Sequence, residues 1–263
     1  MIREILYYTI IVGKVNDKIL YTIGDSWTFG DELVFPELHS YPTLLSKELG
    51  CELENDAING GPNDWMYRKT IEWVCSQDNL DDVAVIVGWS SVNRREENYQ
   101  IYHGAYQDDE VDKFIFDRLY NEELEHYRTI CNMVSLQEFL KSKNVKYLFY
   151  QPWYDVLDCE GILDNKRQQK NKFNWLMKDD SFKDYRKECY TDVLTIGKII
   201  EQVDMSRVIG PVVKGYEKEY DVKSIMSGIF GRREDGRPKM HPNEEGHKII
   251  CKFLKEKLIE LYS

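Results

Sequence analysis

The stretch Lys18-Ile19-Leu20-Tyr21-Thr22-Ile23-Gly24-Asp25-Ser26 decides the fold. Its first six residues are β-favouring and mostly apolar, and Gly24-Asp25-Ser26 stops them at a turn. A short unbroken run bounded in this way predicts a buried strand. Working outward, Tyr41 to Leu49 reads as a helix, with Pro42 in its first turn and Gly50 as its stop signal. Cys51 to Asn55 is a second strand. A helix starts at Asn63 and places Met66, Thr70, Trp73 and Val74 on one face. Val83 to Val87 is again unbroken and apolar, as a strand covered on both sides requires.

Further along, residues 91–121 are irregular and polar and read as an insertion. Leu124, Tyr127, Cys131 and Val134 recur at helical spacing and predict an inner face for a helix that runs to about Ser142. Val145 to Tyr150 is the next strand. Residues 151–187 read as loop plus short helix, and Tyr190 to Val203 as helix. The last helix follows His241-Pro242, with Pro242 at its first position and Glu244 and Glu245 in its first turn. Ile250, Leu254, Leu258 and Leu261 form its inner face. Strands alternating with helices predict an α/β protein: a three-layer α/β/α sandwich on a central parallel sheet of about five strands. Residues 18–263 read as a single domain, and residues 1–17 as an N-terminal extension or extra strand.

Bulk properties narrow the function. The net charge of −11 argues against nucleic acid, whose binders carry a basic excess. The six cysteines are scattered, without a CxxC or metal-ligand spacing, and predict reduced thiols in a reducing compartment. The apolar run Ile5 to Val12 follows Arg3 but is short, abuts Glu4 and leads to no cleavage site, so a cytoplasmic protein without a transmembrane segment is expected. GxGxxG, P-loop and HExxH patterns do not occur, and neither a cofactor nor a metal is expected.

In open α/β sheets, sites form beyond the carboxyl ends of the strands. The residues there are Gly24-Asp25-Ser26-Trp27-Thr28-Phe29-Gly30, then Asn55 to Asn63, then Gly88-Trp89-Ser90-Ser91, and near the end His241-Pro242-Asn243. Taken in this order, they resemble the sequence blocks of the SGNH (GDSL) hydrolases. Gly24-Asp25-Ser26 looks like the first block, Asn55, Ala57, Gly60 and Asn63 like the second, and His241-Pro242 like the last. The resemblance spans the chain from about Lys18 to its end. It implies an esterase with Ser26 as nucleophile and His241 as base, working through an acyl-enzyme. The implied oxyanion hole is made by the amides of Ser26 and Gly60 with a side-chain donor from the third block.

Two departures from the family pattern bear on activity. Where that third block carries an Asn, this chain has Ser90, whose hydroxyl could still donate over a shorter reach; Asn93 is a second candidate. Pro238 stands three residues before His241, where the family has an Asp. Asp235 could supply the carboxylate, because Gly236 allows an unusual turn. A backbone carbonyl could instead orient the ring and leave a Ser–His dyad. Taken alone, Ser26 could be a helix cap, Asp25 reads as a loop-stabilising acceptor, and His247 as a core histidine. The family's many carbohydrate O-acetyl esterases, with Trp27, Trp65 and Trp89 on the site loops, point to a glycan or small-molecule ester as substrate. The contrasting expectation is a catalytically weak SGNH-like glycan-binding or structural protein. An enzyme requires His241 within hydrogen-bond reach of Ser26 and an acceptor behind the ring.

Overall fold

The computed structural model describes residues 18–97, 100–103, 122–152, 157, 198–209 and 241–262. Five parallel strands form the central sheet: β1 (Ile19–Gly24), β2 (Glu52–Asn55), β3 (Val83–Gly88), β6 (Lys146–Tyr150) and β7 (Val208–Ile209), in the order β2-β1-β3-β6-β7. Six helices are described: α1 (Ser26–Phe29), α2 (Pro36–His39), α3 (Tyr41–Leu49), α4 (Asn63–Ser76), α5 (Glu122–Ser142) and α6 (Glu244–Tyr262). A 3₁₀ turn (Met205–Arg207) leads into β7.

Side-chain alternation along the strands builds the two interfaces of an α/β/α sandwich. Tyr21, Ile23, Val83, Val85, Val87, Tyr147 and Phe149 point to one face and pack with Met66, Trp73 and Val74 of α4 and Met133, Leu136 and Leu140 of α5. Leu20, Ala84, Ile86, Leu148 and Tyr150 point to the other, against Tyr41 and Leu45 of α3 and Ile250, Leu254 and Leu258 of α6. A fully buried aliphatic side chain of this kind contributes about 1.5–3 kcal/mol. Because both faces are covered, the strands read as near-continuous apolar runs.

The chain departs from the sequence expectations at three places. Residues 91–121 contain a two-stranded antiparallel hairpin, β4 (Arg94–Glu97) with β5 (Gln100–His103). Helix α6 starts at Glu244 instead of Pro242, because the Asn243 side chain caps it by accepting the Gly246 amide at 2.9 Å. The inner face of α5 is His126, Thr129, Ile130, Met133, Gln137 and Leu140, whereas Leu124 is exposed and Tyr127, Cys131 and Val134 are half-buried. Hydrophobic spacing misses that face because its polar members are paired. Thr129 Oγ1 accepts from Asn63 Nδ2, and Gln137 bonds both the Gln202 carbonyl and the Asp204 amide.

Strand order reverses direction between β1 and β3, and a doubly wound sheet opens a crevice at that switch point. Gly24 and Gly88 are paired across it. A β-carbon on either would meet Thr28 Oγ1, at 2.1 Å from Gly24 and 2.5 Å from Gly88. The two glycines therefore let the first turn of α1 sit directly on the strand ends, which delivers Ser26 to the crevice. No described helix is long and apolar enough to cross a membrane.

Candidate active site

Asp25 starts the site. Its backbone is extended, and its carboxylate caps α1 by accepting the Trp27 amide at 3.0 Å. The following residue, Ser26, is thereby fixed at the helix start with its side chain buried. Helix α1 ends after one turn at Gly30, which is left-handed at φ +89°. The amides of Gly30 and Asp31 both close onto the Ser26 carbonyl at 2.9 Å. Glu32 is then left-handed as well, at φ +63°, unusual for a residue with a β-carbon. This double reversal turns the Glu32 carboxylate back toward the Ser26 end of α1, where it meets His241.

His241 arrives from the segment ahead of α6. Its Nε2 lies 2.9 Å from Ser26 Oγ and its Nδ1 lies 3.1 Å from Glu32 Oε2. The His241 backbone amide also donates to Glu32 Oε2, at 3.2 Å. A carboxylate at Nδ1 holds the ring proton there and leaves the Nε2 lone pair toward the serine hydroxyl. Asp31 is a second carboxylate at this edge, with Oδ2 3.7 Å from His241 Nδ1 and held by Asn59 Nδ2 at 3.1 Å. Glu32 is therefore the nearer partner of the ring. Asp235 and Pro238 lie outside the described residues.

Sequence reasoning missed Glu32. The sequence pattern points to an acid just before His241, whereas Glu32 comes six positions after Ser26. The available signal was the Asp31-Glu32 pair directly behind a helix-stopping glycine.

On the other side of Ser26, the loop after β2 folds over the end of β1. Gly60 is buried and left-handed at φ +76°. A β-carbon on Gly61 would stand 2.9 Å from the Gly24 carbonyl. Among the described residues, the amides of Ser26 and Gly60 meet no hydrogen-bond acceptor.

Ser90 is differently engaged. Asn63 clamps its backbone, donating to the Ser90 carbonyl at 3.0 Å and accepting its amide at 2.7 Å. The Ser90 hydroxyl donates to Asp25 Oδ2 at 2.7 Å, so its hydrogen is directed at a buried carboxylate and not at a substrate. Asn93 follows at the turn into β4, and its amide lies 3.5 Å from Ser91 Oγ.

His247, in the first turn of α6, is fully buried, and its Nδ1 accepts the Tyr41 amide at 3.1 Å. Burial, with His241 nearby, pushes its pKa down to about 3. It joins α6 to α3 and takes no part in the relay. Trp27 and Trp89 correct an expectation. Both are buried in the two cores, Trp89 edge-on to Phe149, and Trp65 packs against the same core, so Trp27 and Trp89 offer no surface to a sugar. Among the described residues no group of three or more His, Cys, Asp and Glu is placed to hold a metal, and Cys51, Cys75, Cys131 and Cys251 are free thiols.

A family of unknown function (DUF6071) has a model that matches residues 31–169. That span contains Glu32, Gly60 and Ser90, and leaves out Ser26 and His241. No protein of curated function matches the sequence. Among solved structures, the chain is similar to the psychrotrophic esterase EstA from Pseudoalteromonas sp., with 10% identity, 94% of this chain and 99% of that chain covered, and a TM-score of 0.49. It is also similar to a member of the lipolytic protein G-D-S-L family from Veillonella parvula DSM 2008, at 12% identity over 93% and 98% of the two chains, with a TM-score of 0.48. A putative SGNH hydrolase from Slackia heliotrinireducens matches at 14% identity over 92% and 100%, with a TM-score of 0.44. At these identities and TM-scores the likeness is one of outline, and the chemistry has to come from the side chains.

Proposed function

The chain belongs to the DUF6071 family, whose function is unknown, and we propose that it is a serine hydrolase of carboxylic esters. Ser26 is its nucleophile, His241 its general base and Glu32 the carboxylate behind the imidazole. The observation that carries this reading is the unbroken relay from Ser26 Oγ through His241, at 2.9 Å and 3.1 Å, to Glu32.

A serine hydroxyl is a weak nucleophile until a neighbouring base takes its proton. As Ser26 Oγ bonds to the ester carbon, its proton passes to His241 Nε2 and the carbonyl π pair moves onto oxygen. Glu32 stabilises the imidazolium that results. When the tetrahedral intermediate collapses, the C–O bond to the alcohol breaks and His241 returns the proton to the leaving oxygen. The acyl group stays on Ser26 until a water, deprotonated by the same imidazole, releases it as the acid. The oxyanion needs preorganised donors, and the uncommitted amides of Ser26 and Gly60 are suited to supply them. Removing one such donor costs about 3–4 kcal/mol of barrier.

Glu32 replaces Asp235 in this reading, and a dyad oriented by a backbone carbonyl is not needed. Trp27 and Trp89, two of the three tryptophans that would recommend a sugar, are spent in the core, so the substrate assignment stops at a carboxylic ester. O-acetylated carbohydrate enters as one arm of the substrate screen. The test is hydrolysis of p-nitrophenyl acetate by wild type, Ser26→Ala and His241→Ala, with folding matched by circular dichroism. Turnover by wild type and background rates in both variants are expected. Equal rates in all three would overturn the assignment and favour a binding protein on the same scaffold.

A further inference from the structure

The relay leaves one strongly charged side chain beside the nucleophile without a part in the reaction. Arg94 opens β4, and its Nη1 donates to Asp25 Oδ2 and to Ser90 Oγ, both at 2.6 Å. Neighbouring residues hold the strand in place. Glu96 forms a two-point pair with Arg68 of α4 at 2.6 Å and 3.2 Å, and Arg95 faces Glu125 of α5 at 3.4 Å. Arg94 therefore reaches the site from an anchored strand.

A guanidinium carries five N–H donors in a rigid fork. Nη1 accounts for two of them. Among the described residues, Nε and Nη2 meet no acceptor. Neither is among the fully buried polar atoms that lack a partner, so this edge opens onto accessible space although the side chain is only 16% exposed. A largely desolvated cation with idle donors favours an anionic oxygen that can take them up.

Position adds the second argument. Arg94 is bonded to the carboxylate of the residue directly before Ser26, and to the hydroxyl of Ser90. Ser90 cannot give its hydrogen to a substrate without abandoning Asp25. The guanidinium lies one hydrogen bond further out from the same hydroxyl, with donors to spare. Asp25 and Ser90 then act as its seat, fixing Nη1 while the other nitrogens face outward.

We propose that Arg94, and not Ser90, is the side-chain donor to the oxygen that becomes negative as Ser26 attacks the ester. This rests on the reading of Ser26 as nucleophile. An oxyanion of the reacting ester is distinguished here from a carboxylate that a substrate carries elsewhere. The first is stabilised only as the barrier is crossed and appears in kcat; the second is bound in the ground state and appears in KM.

The experiment measures kcat and KM of the full chain for p-nitrophenyl acetate, a neutral ester, in wild type, Ser26→Ala, Arg94→Ala and Arg94→Lys, with thermal melts of each. For Arg94→Ala, kcat is expected to fall by roughly 10²–10³ with KM little changed. Millimolar guanidinium ion, far below denaturing levels, should restore part of the rate, and equal methylammonium should not. Arg94→Lys keeps the charge facing Asp25 but lacks the fork; it should melt near wild type and still lose most of kcat. The second variant keeps the test decisive if Arg94→Ala does not fold. Wild-type kcat in Arg94→Lys, an effect confined to KM, or a rate loss that follows melting and ignores guanidinium would overturn the proposal. If wild type itself shows no Ser26-dependent turnover, the nucleophile assignment fails and Arg94 fails with it. An active wild type with indifferent Arg94 variants removes Arg94 alone.

Discussion

Asp25 and Glu32 are two carboxylates on the same turn, on either side of Ser26, and they do opposite work. The Asp25 side chain is fully buried and accepts the Trp27 amide, the Ser90 hydroxyl and the Arg94 guanidinium. Glu32 is 18% exposed and accepts the imidazole and the backbone amide of His241. The first is saturated by groups fixed in the core, so it holds the shape of the turn that carries Ser26. The second faces the ring that gains and loses a proton in the proposed reaction, so it can follow a change of charge. The difference is one of partners, since the ionisable group is the same.

That contrast can be broken with single substitutions. The largest effect is expected for Glu32→Gln. The amide keeps the size of the side chain but no longer holds the proton on Nδ1, a defect that can cost on the order of 10⁴ in kcat. Its melting temperature should stay near wild type, because the group is at the rim of the site. Steady-state rates on p-nitrophenyl acetate and a thermal melt check both halves. A loss below tenfold would shift the orienting role to Asp31, the second carboxylate at that edge.

Asp25→Ala should give the converse pattern, with stability as the main casualty. It strands a mostly buried guanidinium and uncaps α1, a loss of about 3 kcal/mol, and activity falls as the Ser26 turn loosens and Arg94 loses its seat. Urea unfolding of the variant against wild type measures it. A midpoint equal to that of wild type would remove Asp25 from its structural role.

The smallest effect concerns His247, the histidine outside the relay. Its folded pKa is depressed to about 3 by burial, below the ordinary unfolded value near 6.5. The unfolded chain therefore binds the proton first as pH falls. Stability present above pH 6.5 is lost progressively toward pH 3. His247→Gln should melt with a shallower acid slope between pH 6.5 and pH 4, whatever its stability at pH 8. Equal slopes would mean that His247 does not drive the acid loss.

The strands and their order along the chain were legible because a doubly covered parallel sheet needs continuous apolar runs, and Val83 to Val87 supplies one with no ambiguity of period. Ser26, Gly60 and His241 were legible as turn residues at strand or helix ends. Glu32 was not, because its place depends on two left-handed residues, Gly30 and Glu32, on either side of Asp31, and only the glycine advertises such a turn. The engagement of Ser90 with Asp25 and Arg94 was equally hidden, since it joins residues 65 and 4 positions apart through a hairpin whose polar sequence reads as loop. The inner face of α5 is hidden for a related reason. Gln137 and Thr129 are buried because their partners reach them, and hydrophobic spacing does not register partners.

The central claim is that the relay behind Ser26 makes its hydroxyl nucleophilic. The most direct measurement is the rate of covalent labelling by a fluorophosphonate, followed by intact mass and peptide mapping, in wild type, His241→Ala and Glu32→Gln. The account predicts one label per chain on Ser26, formed fast in wild type, slowly in Glu32→Gln and at background in His241→Ala. An unlabelled wild type, or labelling of Ser26 that is indifferent to His241, would contradict it.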